Sequence, residues 1–170
     1  MIYLRTAAVL LLLIVGSGFE PGLAMAQQAH GSEDRVSARL REMYPSNADA
    51  KKEIANAIQA ASREHKRVLL VFGASWCFDC FALDYRFHQP NIQALLGKNY
   101  RVVHVDIGEH DKNLDVANRY QTPTEAVPAL AVLDSNGKLL YSGKLHQFSA
   151  ARSLDPQVIM KFLDTWKPTA

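Results

Sequence analysis

Apolar and polar positions fall into blocks along this chain, and each block carries the period of one kind of element. Val68-Leu69-Leu70-Val71-Phe72 is an unbroken apolar run. A run of that length suits a strand buried on both faces of a parallel or mixed sheet. Upstream, Ile54, Ile58 and Ala61 stand at i, i+4 and i+7 among charged residues. That stripe predicts an amphipathic helix reaching about His65, with Ser46 placed to cap it. Downstream, Phe81 to Phe87 continues as a helix until Pro90, and Asn91 to Leu96 adds another turn or two ended at Gly97. Arg101 to Ile107 holds Val102, Val103, Val105 and Ile107, a β-branched strand. Asp111 is placed to cap a helix through Leu114, Ala117 and Tyr120, stopped by Pro123.

Two short apolar runs follow, Ala129 to Leu133 and Lys138 to Tyr141, around Asp134-Ser135-Asn136-Gly137. Asn-Gly tolerates positive φ, so this predicts a hairpin. Asp155-Pro156 joins an N-cap to a Pro at the first helical position. Val158, Ile159, Phe162, Leu163 and Trp166 then give one apolar face, with Trp166 in the core. Helix, strand, helix, strand, helix, strand, strand, helix predicts an α/β fold with a central mixed sheet flanked by helices.

The beginning of the chain is different in kind. Arg5 precedes an apolar stretch from Thr6 to Val15, broken by Gly16, Gly18 and Pro21, and Ala24-Met25-Ala26 fits a signal-peptidase site. Residues 1–26 therefore read as a secretory signal peptide cleaved near Ala26, which predicts a periplasmic or secreted protein. The apolar stretch is about half the ~20 residues a spanning helix needs, and an uncleaved anchor is the alternative. Residues 27–45 are polar and weakly patterned. They predict a mobile or loosely docked lead-in, an N-terminal extension in which Val36, Leu40 and Met43 allow a short helix. Residues 46–170 form the main domain.

Composition narrows the function. The 170 residues are 48% hydrophobic, enough for a core without a staple. Net charge is +2 and the basic residues are dispersed, which leaves no footprint of a nucleic-acid or anionic-membrane partner. No nucleotide-binding fingerprint is present, so no nucleotide or other cofactor is expected. The chain has two cysteines, Cys77 and Cys80. A bridge between them closes a tiny loop and removes little unfolded-state entropy, so it is a poor staple. Half of a metal site is the other reading. Structural zinc takes four ligands, whereas His65, His88, His104, His110 and His146 are scattered, and no metal is expected.

A strand that ends in Trp76-Cys77-Phe78-Asp79-Cys80 and runs into a helix has a chemical logic. Cys77 falls at the helix N-terminus, where unpaired N–H groups and the helix dipole favour its thiolate. Cys80, one turn later, is placed to resolve a mixed disulfide.

These residues resemble a known family. Val68 to Leu83 resembles the active-site strand and helix of the thioredoxin superfamily. Val127-Pro128-Ala129, with the strand and hairpin after it, resembles that family's cis-proline loop and last two strands. The resemblance spans roughly Ser46 to Lys167 and looks closest to exported thioredoxin-like domains, including the C-terminal domain of the DsbD-type reductase. It implies a thioredoxin fold, with Cys77 attacking and Cys80 resolving. It also implies a cis Pro128, a Val127 backbone that pairs with substrate, Trp76 at the rim, and Phe78 and Asp79 tuning the potential. Trp76 as plain core and Pro128 as the start of an edge strand are the alternatives.

Three positions depart from the family pattern. Val71 stands where many members have a buried acid, with Asp79 and Glu125 as candidate replacements. The loop from Tyr120 to Pro128 looks longer, and Phe81 replaces a basic residue. A carboxylate at Asp79 disfavours the Cys77 thiolate, and a less stabilised thiolate makes a weaker oxidant. The expected function is an exported thiol–disulfide oxidoreductase acting on protein thiols and disulfides, a reductase or intermediate-potential carrier. It is expected to be fed by a membrane or periplasmic redox partner. The alternative is a binding module of the same fold, chaperone-like or delivering copper or another metal, without redox turnover. Asp106 and Glu109 read as loop solvation and a helix start.

Overall fold

The computed structural model describes residues 33–169; the expected signal peptide and the first part of the lead-in lie outside the described residues. The chain is organised around strand β1 (Arg67–Gly73), in which Val68 through Gly73 are all buried. It pairs in parallel with β2 (Tyr100–Asp106) and antiparallel with β3 (Ala129–Leu133). β3 pairs antiparallel with β4 (Leu139–Ser142), giving the order β2-β1-β3-β4. This is the mixed sheet that the apolar runs predict.

Strand alternation divides the core in two. Val68, Leu70 and Phe72 point into one cluster, completed by a helix α1 over 33–43, by α2 (Ala50–Glu64) and by α5 (Leu114–Arg119). Leu69 and Val71 point into the other, with α3 (Phe78–Phe87), α4 (Pro90–Asn99) and α6 (Pro156–Trp166). Among the described residues no helix is long and apolar enough to cross a membrane.

Local signals held where nothing competed with them. The hairpin closes with Asp134 N–H on the Lys138 carbonyl at 2.9 Å, and Gly137 takes the positive φ of 82° that the turn needs. Asp155 caps α6 by accepting the Gln157 N–H at 2.8 Å, with Pro156 at the first helical position. Elsewhere the caps moved. Residues 46–48 turn, and Asp49, not Ser46, caps α2, because its carboxylate is three residues from the Lys52 N–H it accepts at 3.0 Å. Asp111 instead accepts the Glu109 N–H, and α5 starts from Asn113 in a left-handed conformation. Pro90 begins a helix where it was expected to end one, and Gly97 lies inside α4, held by buried Ile92 and Leu96. On α6, Val158 faces solvent, and Trp166 is half-buried, its ring 4.9 Å from that of Tyr141.

The lead-in corrects the expectation of loose docking. The stripe of Val36, Leu40 and Met43 continues into Tyr44, and Leu40, Met43 and Tyr44 are buried in the core. From α1, Arg39 also reaches the carboxylate of Asp84 on α3, at 3.1 and 3.2 Å. The folded unit therefore begins before Ser46. A Leu40→Ala substitution should cost about 2–5 kcal/mol of stability, as for other buried leucines. Urea denaturation measures it, and a loss near zero would mean that α1 is only loosely attached.

Candidate active site at the end of the central strand

β1 leaves the sheet at Gly73, and five residues later the chain enters α3. Cys77 is the N-cap of that helix, with extended backbone (φ −86°, ψ 95°). Its Sγ accepts the Cys80 N–H at 3.0 Å, so the sulfur takes one of the donors that the first turn leaves without an intrahelical partner. Its carbonyl accepts from Cys80 and Phe81 N–H at 3.0 and 3.2 Å. The two cysteines are joined as a disulfide with Cα atoms 5.2 Å apart. Cys77 is 4% exposed and Cys80 1%, so what access there is favours the first sulfur. A thiolate at Cys77 would face the positive end of a ten-residue helix, where such charge is stabilised.

The rim comes from three loops. Trp76 is at the surface, 39% exposed, and its indole N–H donates to the Gly108 carbonyl at 2.9 Å. Its ring lies 5.3 Å from that of His110, so the plain-core alternative for Trp76 fails. The loop under it is organised by Asp106, which accepts the Gly108 N–H at 3.0 Å and meets Lys112 at 3.4 Å. Phe78 projects outward, 53% exposed. Val127 and Pro128 are joined by a cis peptide. Phe72 pairs with Ala129, so these two residues lie beyond the end of β1 from which Cys77 emerges. Val127 is buried in the same cluster as both cysteines. β3 sits between β1 and β4, so Pro128 does not start an edge strand.

Asp79, expected to tune the potential, is paired with a cation from a distant segment. Both its oxygens are engaged by Arg152: Nε at 3.3 and 3.2 Å, a terminal guanidinium nitrogen at 3.1 Å, and the backbone N–H at 3.0 Å. A carboxylate beside Cys77 therefore comes with a guanidinium that offsets its field. Glu125, the other candidate for the absent acid, is exposed. Val71, where that acid would stand, is 1% exposed in an apolar cluster. Besides Asp106 under Trp76, the region holds a second buried acid, Asp84, which sequence reasoning missed. It lies one turn beyond Cys80 and receives Arg39, with His88 Nδ1 at 3.7 Å and His104 Nε2 at 4.0 Å. Only the i, i+4 spacing from Cys80 hinted at it. Among the described residues no group of three or more Cys, His, Asp or Glu side chains gathers to hold a metal.

His104 is the titrating group of this neighbourhood. Burial pushes it down to about 4, Arg39 and His88 push the same way, and Asp84 opposes them. Its Nε2 is buried without a hydrogen-bond partner. An unfolded histidine titrates near 6.5, so on acidification the unfolded chain takes the proton first. Stability from this group is complete above about pH 6.5 and is lost as pH falls through about 4, on the order of 2–3 kcal/mol. His104→Gln should flatten that limb in urea melts at pH 7.5, 5.5 and 4.5; an unchanged limb would assign it to other groups. For the ion pair, Arg152→Gln should slow alkylation of reduced Cys77 at neutral pH and Asp79→Asn should speed it. The double variant should return towards wild type, and two changes of the same sign would refute the offset.

Comparison with known proteins places this geometry in a family. The thioredoxin-like family model matches residues 49–135, from the cap of α2 to the hairpin. The disulphide isomerase from Xylella fastidiosa Temecula1 is 37% identical, with a TM-score of 0.68, over 72% of this chain and 94% of that one. A thioredoxin from Thermus thermophilus, 18% identical over 65% of this chain and 81% of its own, has a TM-score of 0.50 and shares the fold. Comparison with curated proteins finds no match. With its mixed sheet, flanking helices and Cys-x-x-Cys pair at the N-terminus of α3, the chain belongs to the thioredoxin-like family.

Proposed function

We propose that this protein is an exported thiol–disulfide oxidoreductase that exchanges disulfides with protein substrates at an intermediate potential. The observation that carries the reading is the position of Cys77. It caps α3, its sulfur accepts a backbone N–H, and its partner Cys80 lies deeper. In the reducing direction, the Cys77 thiolate attacks a substrate disulfide and one substrate sulfur leaves. Cys80 then attacks Cys77 Sγ, the mixed disulfide breaks, and the second substrate sulfur leaves as a thiolate. Trp76 and Phe78 offer apolar surface beside the reacting sulfur. The Val127 backbone next to cis Pro128 is the proposed strand for pairing with an extended substrate segment.

Two considerations bear on direction. The Asp79 carboxylate argued for a weak oxidant, but Arg152 offsets it, so the stabilisation of Cys77 by the helix end is retained. A thiolate stabilised by the helix end favours a carrier of middle potential. The 37% identical relative, a disulphide isomerase, fits the same exchange chemistry. A thiol protein of the membrane or periplasm is the proposed electron source. Export rests on the charged start, apolar stretch and Ala24-Met25-Ala26 of the sequence.

The test is the reduction potential of the purified domain against glutathione. A value of about −270 to −180 mV, the span from thioredoxin to protein disulfide isomerase, is expected, and one near −120 mV would make the protein a disulfide-introducing oxidant. Cys77→Ser should abolish reduction of a disulfide substrate. A variant that keeps full function with its partner would instead identify a binding module.

A further inference from the structure

Opening the disulfide creates a problem at Cys80 that the helix end does not solve. A dithiol protein reduces the pair in two displacements. Its first thiolate bonds to Cys77 Sγ, the Cys77–Cys80 bond breaks, and the electron pair leaves on Cys80 Sγ. Its second thiolate then attacks its own partner sulfur in the mixed disulfide, and Cys77 leaves. Two electrons have passed to the pair, and Cys80 afterwards takes a proton from water. Until then the charge sits on a sulfur that is 1% exposed, where an unpaired anion is costly. The Cys80 N–H already points at Cys77.

Tyr44 offers a donor. The Tyr44 side chain is 2% exposed and its hydroxyl, fully buried, has no hydrogen-bond partner. Its position follows from Gly73. A Cβ built on Gly73 would lie 2.7 Å from Cys80 Sγ and closer still to the Tyr44 hydroxyl oxygen. The hydroxyl and the sulfur thus converge on the one point where β1 carries no side chain. Burial raises the Tyr44 hydroxyl far above its ordinary range, and the carboxylates of Asp84 on α3 and Asp106 on β2 add to this. The hydroxyl keeps its proton, so towards a thiolate it acts as a hydrogen-bond donor and not as an acid. Arg39 and Lys112 hold those two carboxylates, and the His104 ring meets the Tyr44 ring edge-on at 5.3 Å.

We propose that Tyr44 is a catalytic residue whose hydroxyl, idle in the disulfide form, hydrogen-bonds the Cys80 sulfur when the disulfide opens. This rests on the exchange reading above. The reduced form gains a bond that the oxidised form lacks, so Tyr44 makes the protein more oxidising and speeds departure of Cys80. A substitution at Gly73 would separate the pair by pushing both groups aside.

The test is Tyr44→Phe, which keeps the ring and removes the donor. Its equilibrium with glutathione should move about tenfold towards the disulfide, equivalent to about 30 mV more negative. Its oxidised form should melt at or above the wild-type temperature and its reduced form below it. An unchanged potential, or equal shifts of both melting temperatures, would overturn the proposal, since a purely structural role moves both forms alike. Should Tyr44→Phe not fold, wild-type protein answers by exchange of the Tyr44 hydroxyl proton in NMR spectra. Slower exchange on reduction is expected, and equal exchange would overturn the proposal. Cys77→Ser separates the two failures: if it is inactive while Tyr44→Phe is unchanged, disulfide exchange stands and Tyr44 alone drops out.

Discussion

A strand buried on both faces can present chemistry only where it ends. β1 is packed along its length, paired on both sides, and free of polar side chains from Val68 to Gly73. The chain must leave the sheet at Gly73 and start α3 within a few residues. Wherever it does so, the first N–H groups of the new helix lack intrahelical acceptors. Cys77 meets that need with its sulfur. The same contact that caps the helix favours negative charge on the atom that reacts. Capping and activation are therefore one interaction, and the rim residues Trp76, Phe78, Val127 and Pro128 are arranged around it by the sheet register.

The second sulfur depends on a different part of the chain. Cys80 lies on the side of α3 that faces α1, and α1 brings two groups there. Arg39 covers the carboxylate of Asp84, and Tyr44 stands at the Gly73 gap beside Cys80. Without α1, Asp84 would be open to water and Cys80 would lose its cover. The lead-in thus does more than add apolar area to the core; it supplies the polar surroundings of Cys80. In a low-dielectric interior each such group is costly alone and useful in combination. His104 marks the limit of that economy, since its buried Nε2 makes no hydrogen bond and its charge is suppressed.

What the sequence made legible follows from the range of the interactions. β1, the Asn136-Gly137 hairpin, the Asp155-Pro156 start and the Cys77–Cys80 pair are each written within a few adjacent residues. Caps were less legible because capping side chains compete: Ser46 and Asp49 both precede α2, and spacing to the first free N–H decides for Asp49. Least legible were contacts between distant segments. Arg152 stands 73 residues from Asp79, and Arg39 stands 45 from Asp84. No period or motif links them, since register and loop geometry alone bring them together. The lead-in was misjudged for a related reason. Its stripe of Val36, Leu40 and Met43 is short, and only Tyr44 beyond it shows how deep the segment reaches.

Those long-range contacts change the chemistry, because they change which charges act. Read locally, Asp79 beside Cys77 argues for an unstable thiolate. Arg152, arriving from the segment before α6, pairs with that carboxylate, so an opposite charge stands beside it and the helix end still faces Cys77. At Cys80 the local reading found only an absent acid at Val71. The folded chain instead puts a neutral hydroxyl at the Gly73 gap, where the sulfur also points, and holds the buried carboxylate one turn beyond Cys80, Asp84, in an ion pair with Arg39. An acid and a hydroxyl differ in kind: an acid can exchange a proton with the sulfur, whereas a tyrosine held protonated can only lower the cost of charge on it. The two sulfurs are therefore stabilised by unlike means, backbone dipoles at Cys77 and a side-chain donor at Cys80. In the proposed exchange, their balance acts alongside the dipeptide between them on how readily the disulfide opens.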